Sequence, residues 1–206
     1  MQLADFTVKK IPGGQGKAFI KLFHYSRSCH NGPMTWGLFN PNGMIVGVCA
    51  FATPCSENVR ASLFGEKHKS RVIGLHRLYT YDNLPMNAES WFVSRAIKGL
   101  IKYKPKIRGI ISFADSSEGH KGVIYQALNF GYYGTTGKYT FFRDSKGRLR
   151  HPRQCGVNIS TKEARKRGWK KEVRGLKHRY ILITGRDKRD KKKFRKLLKL
   201  KEECKP

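Results

Sequence analysis

The sequence predicts an α+β protein, an α/β/α sandwich whose mixed sheet is flanked by helices and followed by a basic C-terminal extension. Three observations support this fold class. Strand-like and helix-like segments alternate over the first 150 residues, and hydrophobic residues make up 39% of the 206-residue chain. In addition, 26 of the 43 Lys and Arg residues lie within residues 138–206. The hydrophobic content is enough for a buried core, which excludes a wholly disordered chain.

The first predicted elements are strands. Residues 35–39 and 44–51 are apolar and aromatic, and the turn residues 40–43 (Asn-Pro-Asn-Gly) between them predict a hairpin. A third strand is predicted over residues 71–81. Regular alternation along it would place Leu75, Arg77 and Tyr79 on one face of the sheet.

Helices and strands then alternate. A helix is predicted from the N-cap Asn87 to the residue before Pro105, because proline disfavours helical backbone in the residue that precedes it. The nearly all-apolar residues 107–114 predict a strand that is covered on both faces. A second helix over residues 120–129 and a strand over residues 139–143 complete a core that we assign to residues 1–150.

The C-terminal segment, residues 151–206, carries a short helix over residues 161–169, a strand over 178–184 that joins the core sheet, and an amphipathic basic helix over 187–201. The whole chain has a formal charge of +29, which predicts a polyanionic partner, and nucleic acid fits because cations at phosphates release counterions. The cations predicted to contact it are Lys162, Arg165, Lys166, Arg167, Lys170, Lys171, Arg174, Lys177 and Arg179.

Other features limit where the protein works. No run approaches the roughly 20 apolar residues of a membrane span, and the start lacks a secretory signal, so a cytoplasmic protein without membrane contact is expected. The five cysteines are an odd number without Cys-x-x-Cys spacing, which predicts reduced thiols rather than a disulfide scaffold. They are Cys29, Cys49, Cys55, Cys155 and Cys204.

Two positions in the sequence have the chemistry of an active site. His24 and Tyr25 supply an imidazole and a phenol, which suit a base and a hydrogen-bond donor or two metal ligands. The alternative is a packed histidine beside an interfacial tyrosine. Asp115 follows a buried strand at its carboxyl end, where open α/β sheets place ligands, or it caps the next helix.

Three more residues are candidates from their position. Tyr125 lies one turn into the predicted helix after Asp115 and points back toward the strand ends, where it is either a site residue or a core aromatic. Arg77 interrupts an apolar strand and needs an anionic mate, either Asp115 or a ligand. Ser90 opens a helix, where it donates to a phosphate or only caps.

The core resembles the GNAT acyltransferases, in which a helix N-terminus receives the pyrophosphate of acyl-CoA. The resemblance rests on the order of elements and on residues 124–131, which are similar to the family's Tyr-x-x-x-Gly-Phe-like helix end. The family's glycine-rich pyrophosphate loop is absent, and residues 84–90 stand in its place. The donor is therefore acyl-CoA or another small-group donor, and the residues expected to bind it are Asn87, Ala88, Glu89 and Ser90.

Five motifs in order resemble a narrower group, the Mom family of phage DNA adenine-modification proteins. They are residues 24–26 (His-Tyr-Ser), 75–79 around Arg77, 87–90, 112–127 around Asp115 and Tyr125, and 177–181. The resemblance covers about residues 20–185.

The resemblance implies an enzyme that adds a methylcarbamoyl or carbamoylmethyl group to N6 of adenine in double-stranded DNA, protecting phage DNA from host restriction. It also implies an iron ion, with His24, Tyr25 and Asp115 as metal ligands. The residues that it assigns to catalysis are His24, Tyr25, Arg77, Ser90, Asp115 and Tyr125.

In that function the target adenine would leave the base stack. The aromatic residues expected to hold it are Trp36, Tyr79, Tyr132 and Tyr133. Two other classes of protein remain open, a non-enzymatic nucleic-acid-binding protein and an ordinary GNAT N-acetyltransferase. The oligomeric state is also open, with a dimer among the options.

Overall fold

The computed structural model describes residues 2–54, 56–152 and 159–206, and it confirms the predicted α+β class. A seven-stranded, mostly antiparallel sheet is flanked by helices, and a three-stranded sheet lies beside it. The strands are β1 (Thr7–Ile11), β2 (Met34–Phe39), β3 (Ile45–Ala52), β4 (Val72–Thr80), β5 (Gly109–Asp115), β6 (Gly131–Thr135), β7 (Tyr139–Arg143), β8 (Leu149–Arg150), β9 (Lys170–Arg174) and β10 (Lys177–Ile183). The helices are α1 (Gly13–Phe23), α2 (Glu57–Phe64), α3 (Ala88–Tyr103), α4 (Val123–Ala127), α5 (Thr161–Lys166) and α6 (Lys188–Leu197).

The main sheet has the order β1-β2-β3-β4-β5-β10-β6. The predicted hairpin β2–β3, the strands β4 and β5, and the helix α3 are confirmed. Periodicity did not reveal β1, α1, α2, β6 or β9, because these segments are short or rich in glycine and charged residues. The helix predicted over residues 120–129 is wrong in extent, since a turn ending at Gly119 precedes the five-residue α4.

The helix α3 covers one face of the main sheet. Its apolar stripe, which includes Phe92, Ala96 and Leu100, is fully buried in the largest hydrophobic cluster, together with Ile73 of β4 and Ile110 of β5. A spacing of three to four residues places such side chains on one side of a helix, and burying Phe92 or Leu100 contributes roughly 1.5–3 kcal/mol each.

The strands β4 and β5 of the main sheet pair in parallel and separate after three residues. Val72 pairs with Gly109 and Gly74 pairs with Ile111, and the two strands diverge after that pair. The carboxyl ends of two adjacent parallel strands therefore enclose a gap, and backbone and side chains on both sides of it are available to a ligand.

The regular alternation predicted along β4 is wrong. Leu75 and Leu78 both pack in the largest hydrophobic cluster, whereas Tyr79 packs in a different cluster with Ile20 of α1. The pairing with β3 explains this, because Phe51 faces Leu75 while Ala50 faces Arg77, which leaves His76 as an extra residue. Such a β-bulge reverses the side to which the following side chains point.

The chain leaves the main sheet after β6 and returns to it at β10. Between these neighbouring strands lies the small sheet unit, described over residues 136–152 and 159–176, with strand order β8-β7-β9 and the helix α5. The unit has its own hydrophobic cluster of Phe142, Ile159 and Ala164, with Trp169 packed against it. The strand predicted over residues 139–143 is confirmed as β7, but it belongs to this second sheet.

The basic tail helix α6 docks on the core. Phe194 is buried and meets the Phe64 ring of α2 edge-on, with 5.2 Å between centroids. Asp190 forms a buried ion pair with Arg108, in which Oδ2 and Nε are 2.6 Å apart. The division of the chain at residue 150 remains a prediction, although β10, which follows that point, lies inside the main sheet.

Two further expectations concern membranes and cysteines. Over the residues that the structure describes, no helix combines the length and the apolar character needed to cross a bilayer. Cys29, Cys49 and Cys204 are free thiols, while Cys55 and Cys155 lie outside the described residues.

Candidate active site

A cavity of about 620 Å³ occupies the gap between β4 and β5, and the small sheet unit closes one side of it. This is a usual volume for a small-molecule site. The cavity is lined by five of the six residues expected to act in catalysis, although they are up to 101 positions apart in the sequence. They are His24, Tyr25, Arg77, Asp115 and Tyr125.

The imidazole of His24 is buried and oriented by Ser26. The backbone N–H of Ser26 donates to His24 Nδ1 over 3.0 Å, and Ser26 Oγ lies 2.9 Å from the same nitrogen. An accepting Nδ1 leaves the proton of the neutral ring on Nε2. Burial, reinforced by the charges of Arg77 and His120, lowers the pKa of His24 to about 4. His24 is therefore neutral at pH 7 and donates through Nε2.

Tyr25 covers this histidine from the solvent side. Its ring centroid lies 4.3 Å from that of His24 and 5.7 Å from that of His120, and about half of the side chain is exposed (51%). Desolvation is the main reason why the pKa of Tyr25 is raised above its usual value, and Arg77 opposes the shift while Asp115 adds to it. The phenol stays protonated and remains a hydrogen-bond donor.

Arg77 enters the cavity held by neutral groups. Nε donates to the carbonyl of Ser28 over 2.9 Å, Nη2 to Ser28 Oγ over 3.1 Å, and Nη1 to the carbonyl of His76 over 2.7 Å. The expected pairing with Asp115 is wrong. In the part of the chain that the structure describes, no carboxylate lies within ion-pair distance of this guanidinium. A desolvated cation without an internal counterion favours an anionic or strongly polarised ligand.

Asp115 is buried at the carboxyl end of β5, and each of its oxygens has a partner. Oδ1 accepts from the backbone N–H of Ser117 over 3.0 Å, as the alternative of a cap predicted. Oδ2 lies 3.5 Å from Nζ of Lys177, the first residue of β10. The cap and the position in the cavity are compatible, because one oxygen suffices for the cap.

Tyr125 closes the inner end of the cavity. Its ring packs between Phe130 and Tyr180, with centroids 5.5 and 5.3 Å away. Burial raises the pKa of Tyr125 to about 12, while a hydrogen bond with Ser112 opposes the shift. The hydroxyl therefore keeps its proton at neutral pH.

The residues expected to bind a donor lie elsewhere. Asn87, Ala88, Glu89 and Ser90 form the cap and first turn of α3, and none of these four lines the cavity. Ser90 Oγ donates to the backbone carbonyl of Asn87 over 3.1 Å, which is a local capping contact. The carboxylate of Glu89 in the first turn also disfavours a phosphate at this helix N-terminus, and binding of the donor by these four residues stays a prediction.

Sequence reasoning missed several residues of the cavity. They include His30, His76 and His120, the aromatic residues Phe113, Tyr139 and Phe141, and His151. One sequence signal was available, since five of the seven histidines of the chain line this cavity. Their spacing along the chain gave no reason to group them, because four separate segments supply them.

The chain matches the model of the Mom protein family over residues 5–203.

The chain belongs to the Mom family.

A curated relative is the methylcarbamoylase mom of Escherichia phage Mu, which is 30% identical over 132 residues. The aligned part covers 64% of this chain and 54% of the relative, so the chain spans about half the length of that protein.

Solved structures similar to this chain include acetyltransferases. The spermidine/spermine N-acetyltransferase SpeG of Vibrio cholerae, solved with manganese, has a TM-score of 0.50 and 8% identity, covering 88% of this chain and 94% of its own. A GCN5-related N-acetyltransferase of Kribbella flavida has a TM-score of 0.50 and 10% identity over 89% and 100% of the two chains. The protein yncA of Salmonella typhimurium, solved with acetyl-CoA, has a TM-score of 0.50 and 9% identity. The match covers 89% of this chain and 96% of yncA. These likenesses establish the GNAT fold alone.

The iron site expected in a Mom-family member is not supported. Among residues 2–54, 56–152 and 159–206, no three His, Cys, Asp or Glu side chains come together in a way that suits a metal ion. Of the expected ligand atoms, His24 Nδ1 faces Ser26 and both oxygens of Asp115 have partners. The described residues therefore give no support to an iron site at His24, Tyr25 and Asp115.

The cations expected to contact DNA fall into two groups. The first group is exposed and consists of the cations of α5, of its C-cap Arg167 and of the start of β9. Arg167 pairs with Glu163 over 3.0 Å. Arg174, Lys177 and Arg179 are half-buried and are held by Glu118, Asp115 and the carbonyl of Tyr133. The exposed residues are Lys162, Arg165, Lys166, Arg167, Lys170 and Lys171.

The aromatic residues expected to hold a base are elsewhere in the fold. Trp36 is buried against Phe51, and Tyr132 and Tyr133 are also buried. Tyr79 stacks on Phe23 with 5.9 Å between centroids. None of these four lines the cavity, because each fills space between the main sheet and a packed neighbour.

Proposed function

We propose that this protein transfers a small acetamide-type group, methylcarbamoyl or carbamoylmethyl, to N6 of adenine in double-stranded DNA, so that phage DNA resists host restriction. The observation that carries the proposal is the cavity, where the family's motif residues converge on an arginine without a carboxylate partner among the described residues. The curated relative is named a methylcarbamoylase, which supports the nature of the group.

The reaction is a substitution at the transferred carbon. A bond forms between adenine N6 and that carbon, the bond from the carbon to the donor's leaving group breaks, and N6 gives up one proton. The donor is an activated small-group compound whose leaving group departs with the bonding electron pair. Nothing is oxidised or reduced, so the electrons balance without a redox partner.

The cavity residues suit these steps. The N6 amine is a weak nucleophile because its lone pair is delocalised into the ring, so the transferred group must be polarised. Arg77, held on three N–H groups, and the Nε2–H of His24 donate to the oxygen of that group. Asp115 accepts the proton from N6, and Tyr125, whose hydroxyl is protonated, donates a proton to the leaving group.

The exposed cations of the small sheet unit supply the contact with DNA. Lys162, Lys166 and Lys170 are exposed on the unit that closes the cavity, where they neutralise phosphates without reading sequence. The adenine has to leave the base stack to enter the cavity, because in the duplex its N6 is engaged in pairing, and this costs a few kcal/mol.

A polyamine acetyltransferase, the activity named for SpeG, fits this chain less well. A protein with a formal charge of +29 repels a polycationic substrate and attracts a polyanion. A binding protein without activity would have no use for a desolvated arginine in a cavity, since an uncompensated buried charge is costly.

The test is expression of the chain in bacteria, followed by digestion of plasmid DNA to nucleosides and mass spectrometry. We expect a heavier deoxyadenosine, and its absence in cells that express Asp115→Asn at the same level. Unmodified DNA from folded, soluble wild-type protein would contradict the proposal.

A further inference from the structure

We propose that the small sheet unit supplies the wall on which the substrate base stacks, and that Tyr139 and Phe141 of β7 form this wall. The ligand class is a purine turned out of a duplex, so the inference rests on the proposed function and specifies its substrate site. Both side chains line the cavity and replace the aromatic residues that the sequence had indicated.

The strand β7 presents these two rings in a defined way. Successive side chains of a strand point to opposite faces, so Tyr139 and Phe141 share a face while Phe142 points away. Phe142 is fully buried in the unit's own cluster with Ile159 and Ala164. The cluster holds β7 in place, and its other face delivers two aromatic rings to the cavity.

Each ring is held along part of its surface and remains half-buried rather than packed into a core. Nζ of Lys177 lies 5.5 Å from the centroid of the Tyr139 ring, and His151 meets the Phe141 ring edge-on with centroids 5.3 Å apart. Two aromatic rings that line a cavity without filling it suit a planar heteroaromatic ligand, because every base offers a π-face for stacking.

The position of the wall relative to the acid group also favours a purine with an exocyclic amine. Lys177 contacts the Tyr139 ring and the carboxylate of Asp115 at the same time, so wall and carboxylate are neighbours. A base stacked on Tyr139 and Phe141 would therefore turn its edge toward Asp115, which accepts from an amine. An ionised carboxylate only accepts hydrogen bonds, so Asp115 pairs with an exocyclic amine and not with a carbonyl oxygen.

The same unit carries the exposed cations of α5 and β9, so phosphate contact and base stacking belong to one structural piece. That piece is joined to the cavity rim by Arg174, whose Nη2 lies 2.7 Å from Oε1 of Glu118. The backbone N–H of Gly175 also donates to Ser117 Oγ over 2.8 Å. A DNA backbone held on the outside of the unit can thus direct one nucleotide over its edge and into the cavity.

The experiment uses the full chain and a pool of dye-labelled DNA duplexes. Each duplex carries one 2-aminopurine opposite an abasic site, and the pool covers every combination of bases next to the 2-aminopurine. Dye anisotropy reports affinity for the duplex, and 2-aminopurine fluorescence reports transfer of the base onto an aromatic wall. The variants are Tyr139→Leu and Phe141→Leu. The matched control is Tyr103→Leu, which removes a half-exposed aromatic ring that stacks with Lys10 outside the cavity.

We expect each wall variant to abolish most of the 2-aminopurine signal and to lower modification of plasmid DNA by roughly tenfold, the effect of removing one ring from a base stack. Affinity for the duplex at fixed salt should change by less than about twofold, because the phosphate contacts remain. Tyr103→Leu and the ring-preserving Tyr139→Phe should behave as wild type. Thermal unfolding of each variant checks that it is folded. If Phe141→Leu does not fold, the result for Tyr139→Leu tests the inference by itself.

Two results would overturn the inference. One is a wild-type protein that binds the duplexes without any 2-aminopurine response, and the other is wall variants that keep the wild-type response. The failure of the proposed function is distinguishable from both. If plasmid DNA stays unmodified while the fluorescence response depends on Tyr139, the base site stands and the reaction is wrong. If both wall variants modify DNA at the wild-type level, the reaction stands and the wall is wrong.

Discussion

Ala50 of β3 pairs with Arg77 of β4, although the next residue of β3 pairs with Leu75. His76 is thus an extra residue on β4, which makes a β-bulge between Leu75 and Arg77. The bulge turns the Arg77 side chain toward the loop after α1. There the guanidinium meets the carbonyl and the hydroxyl of Ser28. One inserted residue therefore decides whether the cation packs against the main core or enters the cavity.

Arg77→Lys is expected to lower modification of plasmid DNA by about 10²-fold, as when one donor to the reacting oxygen is removed. Lysine keeps the charge, but a single ammonium cannot reproduce three N–H groups held by Ser28 and the His76 carbonyl. The measurement is the fraction of modified deoxyadenosine. Arg95→Lys, which changes an arginine stacked on Trp91 on α3, is the control and should retain activity.

Stability should fall with acid in a window set by His24. The pKa of this residue is about 4 in the folded state and 6.5 in a free imidazole, so the unfolded chain binds a proton first as pH falls. The neutral, buried His24 therefore adds about 3 kcal/mol to the free energy of unfolding above pH 6.5. This stabilisation declines between pH 6.5 and 4 and is lost below pH 4. Urea unfolding at several pH values measures it.

The His24→Gln variant should show a flatter pH dependence over the same window, and above pH 7 the two curves should run parallel. An unchanged slope between pH 6.5 and 4 would mean that His24 is not desolvated. The pKa of His76 is lowered by burial to about 3, so this residue adds to the slope from pH 6.5 down to about pH 3, and the variant keeps that part of the slope.

The helix α6 should be part of the fold as well as a basic surface. Phe194→Ala is expected to lower the free energy of unfolding by about 3–5 kcal/mol, since it empties a packed site beside Phe64. Asp190→Asn leaves Arg108 buried without its carboxylate and should cost a similar amount. Denaturant unfolding measures both.

The controls are Lys192→Gln and Lys193→Gln, which are exposed on the same helix and should change stability by less than about 0.5 kcal/mol. If Phe194→Ala were as stable as wild type, the docking of α6 would be wrong. A simple deletion of residues 186–206 does not separate DNA contact from folding, because it removes Phe194 and Asp190 along with the lysines.

The exposed cations of the small sheet unit should govern the salt dependence of DNA binding. Replacing Lys162, Lys166 and Lys170 together by glutamine should lower affinity for any duplex sequence. The slope of log affinity against log salt should become shallower by up to about 0.9 for each phosphate that these lysines neutralise in the wild type. Titrations at several salt concentrations measure the slope.

Arg179→Gln is the matched comparison, because this arginine is half-buried and donates to the carbonyl of Tyr133 over 3.4 Å. We expect it to leave the salt slope unchanged. A triple variant with the wild-type slope would move the DNA contact away from α5 and β9.

The sequence by itself determined the α+β class, the hairpin β2–β3, α3 and β5, because turn residues, caps and apolar periodicity are local signals. It also singled out His24, Tyr25, Arg77, Asp115 and Tyr125. What it did not determine was their surroundings. The separation of β4 from β5, the bulge at His76 and the return of the chain through β10 depend on pairing between distant segments.

Only the tertiary structure decided which aromatic residues meet the cavity. Tyr139 and Phe141 are there because β7 packs its other face in a separate small core, whereas the candidates named from sequence pack in the hydrophobic clusters of the main sheet. The same holds for charge, since Lys177 and not Arg77 faces Asp115. Side-chain partners of this kind follow from the packing of whole elements against each other, which local patterns along the chain do not encode.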